Sequence, residues 1–231
     1  MTTDSAKKAC IFCNGELKNS ARVKRATSNC DLLIATEGGA KHLAALGLQP
    51  GIIVGDMDSI DTDKRTDENS IVRIPYSPYK KKSGVELAVE YALEQGCQEI
   101  ILVAAVDGRL DHTLGNVALV ASYPGRIAII DGVSTLVAVD KSEKCILHGQ
   151  IGALVSLIPY GSGPFTVRSK GLKYSLGDET LHSATHGLGN ELSLTEACVC
   201  VSNGILLVYI KNEDISFEAH QELSDVSQEI S

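Results

Sequence analysis

With 231 residues, of which 44% are hydrophobic, the chain has material for one large core or two modest ones. A formal net charge of -8, from 29 acidic against 21 basic side chains, excludes a general nucleic-acid binder, because such a surface replaces phosphate counterions with cations. No charged-then-apolar leader opens the sequence and no apolar run approaches the ~18 residues of a membrane span, so a soluble cytoplasmic protein without a membrane partner is expected.

The cysteine count is seven, an odd number, and most of these residues sit inside apolar runs such as ACIFC and ACVCV, where a free thiol behaves as a small hydrophobe. That also favours a reducing compartment. Cys10-x2-Cys13 and Cys198-x-Cys200 fall within predicted strands, without the turn residues that let paired cysteines converge on one zinc ion.

In chain order, ACIFCNG predicts a first strand ending in a turn at Asn14 and Gly15, and DLLIAT over 31–36 predicts a second. The turn EGG leads into AKHLAALG, a short helix stopped at Gly47, and GIIVGD and IVRIPY over 71–76 are further strands. SGVELAVEYALEQG is the clearest helix, since Val85, Ala88, Val89, Ala92 and Leu93 recur on one face and Ser83 with Glu86 forms a capping box. EIILVAAV over 99–106 predicts a strand, LDHTLGNVALVAS a helix and RIAIIDG over 126–132 another strand.

The alternation implies a parallel sheet covered by helices on both faces, an N-terminal α/β domain over 1–133. From Ser134 the pattern changes to STLVAVD, CILHG, ALVSLIPYG, FTVRSKG, ACVCVSNG and ILLVYI, separated by glycine-bearing turns. This predicts a C-terminal all-β sandwich over 134–231, with the polar tail HQELSDVSQEIS frayed.

Ligands of open parallel sheets bind at the carboxyl ends of the strands, where strand order reverses. The turns expected on that edge are Asn14-Gly15, Glu37-Gly38-Gly39, Gly55-Asp56-Met57-Asp58-Ser59 and Asp107-Gly108-Arg109-Leu110-Asp111-His112. Glycines let backbone N–H groups approach an anion, aspartates hold a hard cation, and Arg109 offers a planar fork for phosphate oxygens. A nucleotide with magnesium suits this set better than an apolar metabolite does. Each element has a plainer reading alone: Asp56 and Asp58 as a solvated turn, Asp111 as a first-turn carboxylate, His112 as a structural imidazole, and Lys80, Lys81 and Lys82 as a solvated charge run. Neither a GxxxxGK[ST] loop nor GxGxxG after the first strand is present.

Taken in order, EGGA (37–40), GDMDSI (55–60), KKSGVE (81–86), DGRLDH (107–112) with Asn116, GLKY (171–174) and GNE (189–191) resemble the motifs of the thiamine pyrophosphokinase family. The resemblance implies an ATP- and Mg2+-binding α/β domain, a thiamine-binding β-sandwich, a homodimer, and transfer of the pyrophosphoryl group of ATP to the thiamine hydroxyl with release of AMP. It implies that Asp56 and Asp58 hold magnesium, Arg109 grips phosphate, and Asp111 positions metal or the attacking hydroxyl. By the same resemblance Asn14, Glu37, Gly38, Gly39, Lys82, His112 and Asn116 belong with the nucleotide, and Lys173, Gly189, Asn190 and Glu191 with thiamine.

Four departures fall at these motifs. Ser83-Gly84 stands where the family carries TD, so a carboxylate expected near the metal is absent. Asp107 replaces the first glycine of GGRxDH, which makes it, or Asp111, a candidate further metal ligand. Gly189 replaces the serine of SNE, and Glu37 the aspartate of DGGA. These leave open a pyrophosphokinase for another hydroxymethyl heterocycle, such as a pterin, and a relative that binds ATP or thiamine without turnover.

Overall fold

The computed structural model describes residues 6–55, 72–75, 82–142, 144–181, 185–211 and 217–220. It divides into two compact units, residues 1–119 with 129–132, and residues 120–128 with 133–231.

In the first unit β1 (Lys8–Phe12), β2 (Leu32–Thr36), β3 (Ile52–Gly55), β4 (Val72–Pro75) and β5 (Glu99–Val103) run parallel in the spatial order β5-β1-β2-β3-β4. A further strand, β6 (Ile127–Asp131), lies next to β5. The helices are α1 (Ser20–Thr27), α2 (Ala40–Leu46), α3 (Gly84–Glu94) and α4 (Leu110–Ser122). The continuous apolar run of β1 has its physical cause here: Ala9, Cys10, Ile11 and Phe12 are all fully buried, so both faces of the strand are covered.

On one face Cys10, Phe12, Ala35, Ile53 and Val103 pack with Val23 of α1 and with Leu43 and Leu46 of α2. Ile11 and Ile34, one residue out of phase, turn to the other face. There α3 packs on β1, β2 and β3 and buries Val85, Ala88, Val89 and Ala92. Truncating a core leucine such as Leu43 to alanine costs about 2–5 kcal/mol in sites of this kind. The Ser83 hydroxyl accepts the Glu86 backbone N–H at 3.1 Å and fixes the start of α3.

The second unit contains β7 (Ser134–Val139), β8 (Lys144–His148), β9 (Leu154–Tyr160), β10 (Phe165–Lys170), β11 (Gly177–Leu181), β12 (Gly187–Glu191), β13 (Glu196–Val201), β14 (Ile205–Lys211) and β15 (Phe217–His220). They form two antiparallel groups, β12-β9-β14-β7 and β11-β10-β13-β8-β15. Val137, Val155, Leu157, Leu206 and Val208 from the first group share one core with Leu147, Val167 and Val199 from the second. The chain thus combines parallel strands and few helices with antiparallel sheets. Strands β11 and β12 were not anticipated from sequence. Of the tail expected to fray, only His220 lies within the described residues. Among those residues no helix is long and apolar enough to cross a membrane.

Candidate active site

Strand order places the site before any side chain is considered. From β1 the chain moves to β2 on one side and later returns to β5 on the other, so the carboxyl ends of β1, β2 and β5 border the reversal point. A cleft of about 350 Å³ opens there. Its walls are the turns that follow those strands: Asn14 and Gly15 after β1, Glu37 and Gly38 after β2, and Asp107, Gly108 and Arg109 after β5, with His112 and Asn116 from α4.

The turns are tied to one another. Gly15 N–H donates to the Ala104 carbonyl at 2.8 Å and Cys13 N–H to Val103 at 2.8 Å, joining the ends of β1 and β5. Thr36 Oγ1 donates to the Phe12 carbonyl at 3.1 Å, joining β2 to β1. His42 of α2 contacts the Gly15 carbonyl through Nε2 at 2.9 Å, and burial lowers its pKa, which favours the neutral ring. Asn116, buried on α4, donates from Nδ2 to the Ala105 carbonyl at 2.6 Å and so fastens the helix to the β5 turn.

The EGG motif has a packing reason. A Cβ at Gly39 would stand 1.9 Å from the Phe12 carbonyl oxygen, so that position admits no side chain, and one at Gly38 would stand 2.1 Å from Asn14 Oδ1 and have to displace the Asn14 side chain. Gly39 is accordingly buried behind the turn, and Gly38 borders the cleft.

Asp56 and Asp58, like Lys80 and Lys81, lie outside the described residues. The residue before them, Gly55, packs against Glu37: a Cβ there would be 3.0 Å from the Glu37 Cβ. The end of β3 therefore lies against the base of the Glu37 side chain in the cleft wall. Arg109 is bound by Asp111, Nε to Oδ1 at 3.1 Å and Nη2 to Oδ2 at 2.5 Å, and the guanidinium holds the Asp111 carboxyl down at about 2. Both side chains are open to solvent, at 72% and 64% exposure, which leaves that pair free to exchange for another ligand. Lys82 pairs with Glu90 of α3 and does not border the cleft among the described residues.

Asp107 lines the cleft, but its carboxylate is engaged by Lys18, Nζ to Oδ2 at 2.5 Å, and Lys18 also reaches Asp131 at 3.3 Å. The expectation of a relocated metal carboxylate thus meets a different arrangement, in which Asp107 anchors its turn to a lysine. Among the described residues no group of three or more metal-ligating side chains occurs. Sequence reasoning missed Lys18 altogether. It also missed Lys41, whose Nζ donates to Asn14 Oδ1 at 3.1 Å and puts a cation beside the cleft. The signal was available, since Lys41 directly follows EGGA.

Residues 23–130 match the family described as thiamin pyrophosphokinase, catalytic domain. Over that stretch, just under half of its length, the chain is similar to that family's catalytic domain. It is 27% identical over 190 residues to the thiamine pyrophosphokinase of Bacillus subtilis, an alignment covering 79% of this chain and 88% of the relative. It is 24% identical over 188 residues to thiamin pyrophosphokinase 1 of Caenorhabditis elegans, covering 75% and 76%. The fold matches the crystal structure of the Bacillus subtilis thiamine pyrophosphokinase with a TM-score of 0.75 at 24% identity, covering 89% of this chain and 99% of that one. It also matches thiamin pyrophosphokinase from Candida albicans with a TM-score of 0.74 at 16% identity, covering 90% and 89%.

The motifs that the thiamine pyrophosphokinase resemblance assigned to the acceptor lie together in the second unit. Lys173 Nζ pairs with Glu191 Oε2 at 3.1 Å, and its backbone N–H donates to the Glu191 carbonyl at 2.9 Å. Asn190 is buried and spends its polar atoms on backbone: Oδ1 accepts Tyr174 N–H at 3.1 Å and Glu191 N–H at 2.9 Å, while Nδ2 donates to the Tyr174 carbonyl at 2.8 Å. Its role in this structure is to clasp GLKY to GNE. Gly189 has φ +73, a left-handed conformation that glycine adopts without strain, so the family's serine at this position would be disfavoured on this backbone. The departure at Gly189 thus follows from local geometry.

Proposed function

We propose that this protein is an ATP-dependent thiamine pyrophosphokinase, transferring the pyrophosphoryl group of ATP to the thiamine hydroxyl and releasing AMP. The observation that carries the reading is the cleft at the reversal point, where Asn14, Glu37, Gly38, Arg109, His112 and Asn116 come together within one unit. Support also comes from the family match over 23–130, which contains every one of these residues except Asn14.

In this reading the cleft binds the nucleotide and Arg109 exchanges Asp111 for phosphate oxygens, as the exposure of both partners favours. Asp56 and Asp58 would hold magnesium, with Glu37, which follows β2 and packs beside the end of β3, completing the acidic side. The ion, when bound, neutralises charge on phosphate oxygens. Asn116 and His42 keep the turns in register, so that positioning carries most of the rate. The second unit acts as the thiamine-binding β-sandwich, with Lys173 and Glu191 exposed beside the Asn190 clasp. We further assign a homodimer in the cytoplasm: Leu110 and Leu114, one turn apart on α4, are 72% and 61% exposed, as an apolar interface stripe requires.

The test is incubation with ATP, magnesium and a small panel of hydroxymethyl heterocycles that includes thiamine and a pterin, with products read by mass spectrometry. Thiamine diphosphate and AMP are expected. AMP formed only with another acceptor, ADP as the nucleotide product, or no turnover would each refute the assignment.

A further inference from the structure

On β13 the side chains alternate. Ala197, Val199 and Val201 enter the core of the second unit, which leaves Cys198 and Cys200 half-buried on the opposite face. Their sulfur atoms are 3.8 Å apart. In register, Cys200 sits between Arg168 of β10 and Lys144 of β8, and Cys198 sits between Lys170 and Ile146. Beside Cys200 lies a concavity of about 350 Å³ lined by Lys141, Thr166, Arg168, Asp178 and Ser202. It is an open basin of mixed lining, with a thiol in its wall, two cations in Lys141 and Arg168, and one acidic group, Asp178, paired to Arg168.

The geometry points to Cys200 as a modification site, at which the thiol exchanges with low-molecular-weight disulfides that carry carboxylates. Cys200 gives its proton to solvent, and its sulfur attacks one sulfur of the incoming disulfide. The S–S bond of that molecule breaks as the mixed disulfide to Cys200 forms, and the departing thiolate takes a proton from solvent. Cys200 and half of the reagent share the new disulfide while the other half leaves reduced. Cys198 is a positioning residue: the hydrogen bond between its sulfur and that of Cys200, with Lys144 and Arg168 nearby, lowers the Cys200 thiol to about 7 while burial and Asp178 oppose. The four cysteines Cys10, Cys13, Cys97 and Cys145 are buried, and Cys30 donates its thiol hydrogen to the Ala26 carbonyl at 3.4 Å. None of these facts depends on the proposed enzymatic activity.

The experiment treats the full chain at pH 7 with glutathione disulfide and maps the adduct by peptide mass spectrometry. One glutathione on Cys200 is expected in the native sequence and in Cys30→Ser, and none in Cys200→Ser. Cys198→Ala should slow the exchange about threefold, because loss of the hydrogen bond returns the thiol toward the ~8.5 of free cysteine and the thiolate lost outweighs its gain in nucleophilicity. A neutral disulfide, hydroxyethyl disulfide, should react more slowly than the anionic one. An adduct confined to Cys30, an internal Cys198–Cys200 disulfide in place of the adduct, or equal rates with the neutral reagent would overturn the proposal.

Discussion

Replacing Lys18 by Met tests whether Asp107 anchors its turn or serves a metal. Lys18 holds two carboxylates at once, Asp107 at 2.5 Å and Asp131 at 3.3 Å, with exposures of 42% and 24%. The Asp107 pair, being largely solvated, contributes about 0.5 kcal/mol. Asp131 is different: its Oδ1 is buried without a hydrogen-bond partner among the described residues, so removal of Lys18 strands a mostly buried carboxylate at about 1–3 kcal/mol. Lys18→Met should therefore lower the stability of the first unit by about 2 kcal/mol in urea unfolding, and Asp107→Asn by about 0.5 kcal/mol. The double variant should cost no more than Lys18→Met alone, because the two substitutions break one interaction.

The pH dependence has a definite sign. The Asp107 hydrogen bond raises the Lys18 pKa above 10.5, so its contribution is complete below that pH and is lost as pH rises through the folded-state value. If Asp107 is an anchor, its asparagine variant keeps the native magnesium requirement for AMP formation. A several-fold rise in that requirement, with Lys18→Met unchanged, would refute the anchoring role and restore Asp107 as a ligand.

Two further outcomes follow from hydrogen bonds and close contacts already described. Asn190→Ala removes two hydrogen bonds between GNE and GLKY and one within GNE, and should cost about 3 kcal/mol in urea unfolding; unchanged stability with lost thiamine binding would instead make Asn190 a contact residue for the acceptor. Gly38→Ala forces a methyl into the space of Asn14 Oδ1, at a cost of about 1–3 kcal/mol that should appear as weaker ATP binding in calorimetry; native affinity would show that the EGG turn does not meet the nucleotide.

Helix α3 was legible because everything it needs is local: a 3.6-residue apolar period, a serine cap and a buried face. Helix α1, SARVKRAT, was not, since only Val23 of its apolar residues is well buried, and the helix begins where Asn19 accepts Arg22 N–H at 3.2 Å. Strands β11 and β12 carry glycines and charges and exist through pairing with β10 and β9, each with an irregular register. That pairing leaves no periodic trace.

The candidate site divides the same way. Turns at the ends of buried strands are marked by glycine and aspartate, so Asn14, Glu37, Gly38 and Arg109 could be gathered from sequence; Asn116 joined them only through the family resemblance, and all five line one cleft. What the sequence could not supply was the partner of each charge. Asp107 looked like a substitute for the carboxylate missing at Gly84, and only the fold brings Lys18 against it. Asp107 and Asp111 are each paired with a cation, and Glu37 is the acidic residue of the cleft wall that packs beside the end of β3. Glu37 packs beside the strand that leads into Asp56, so in the proposed reading the departures at Glu37 and Gly84 belong to one rearrangement of acidic groups.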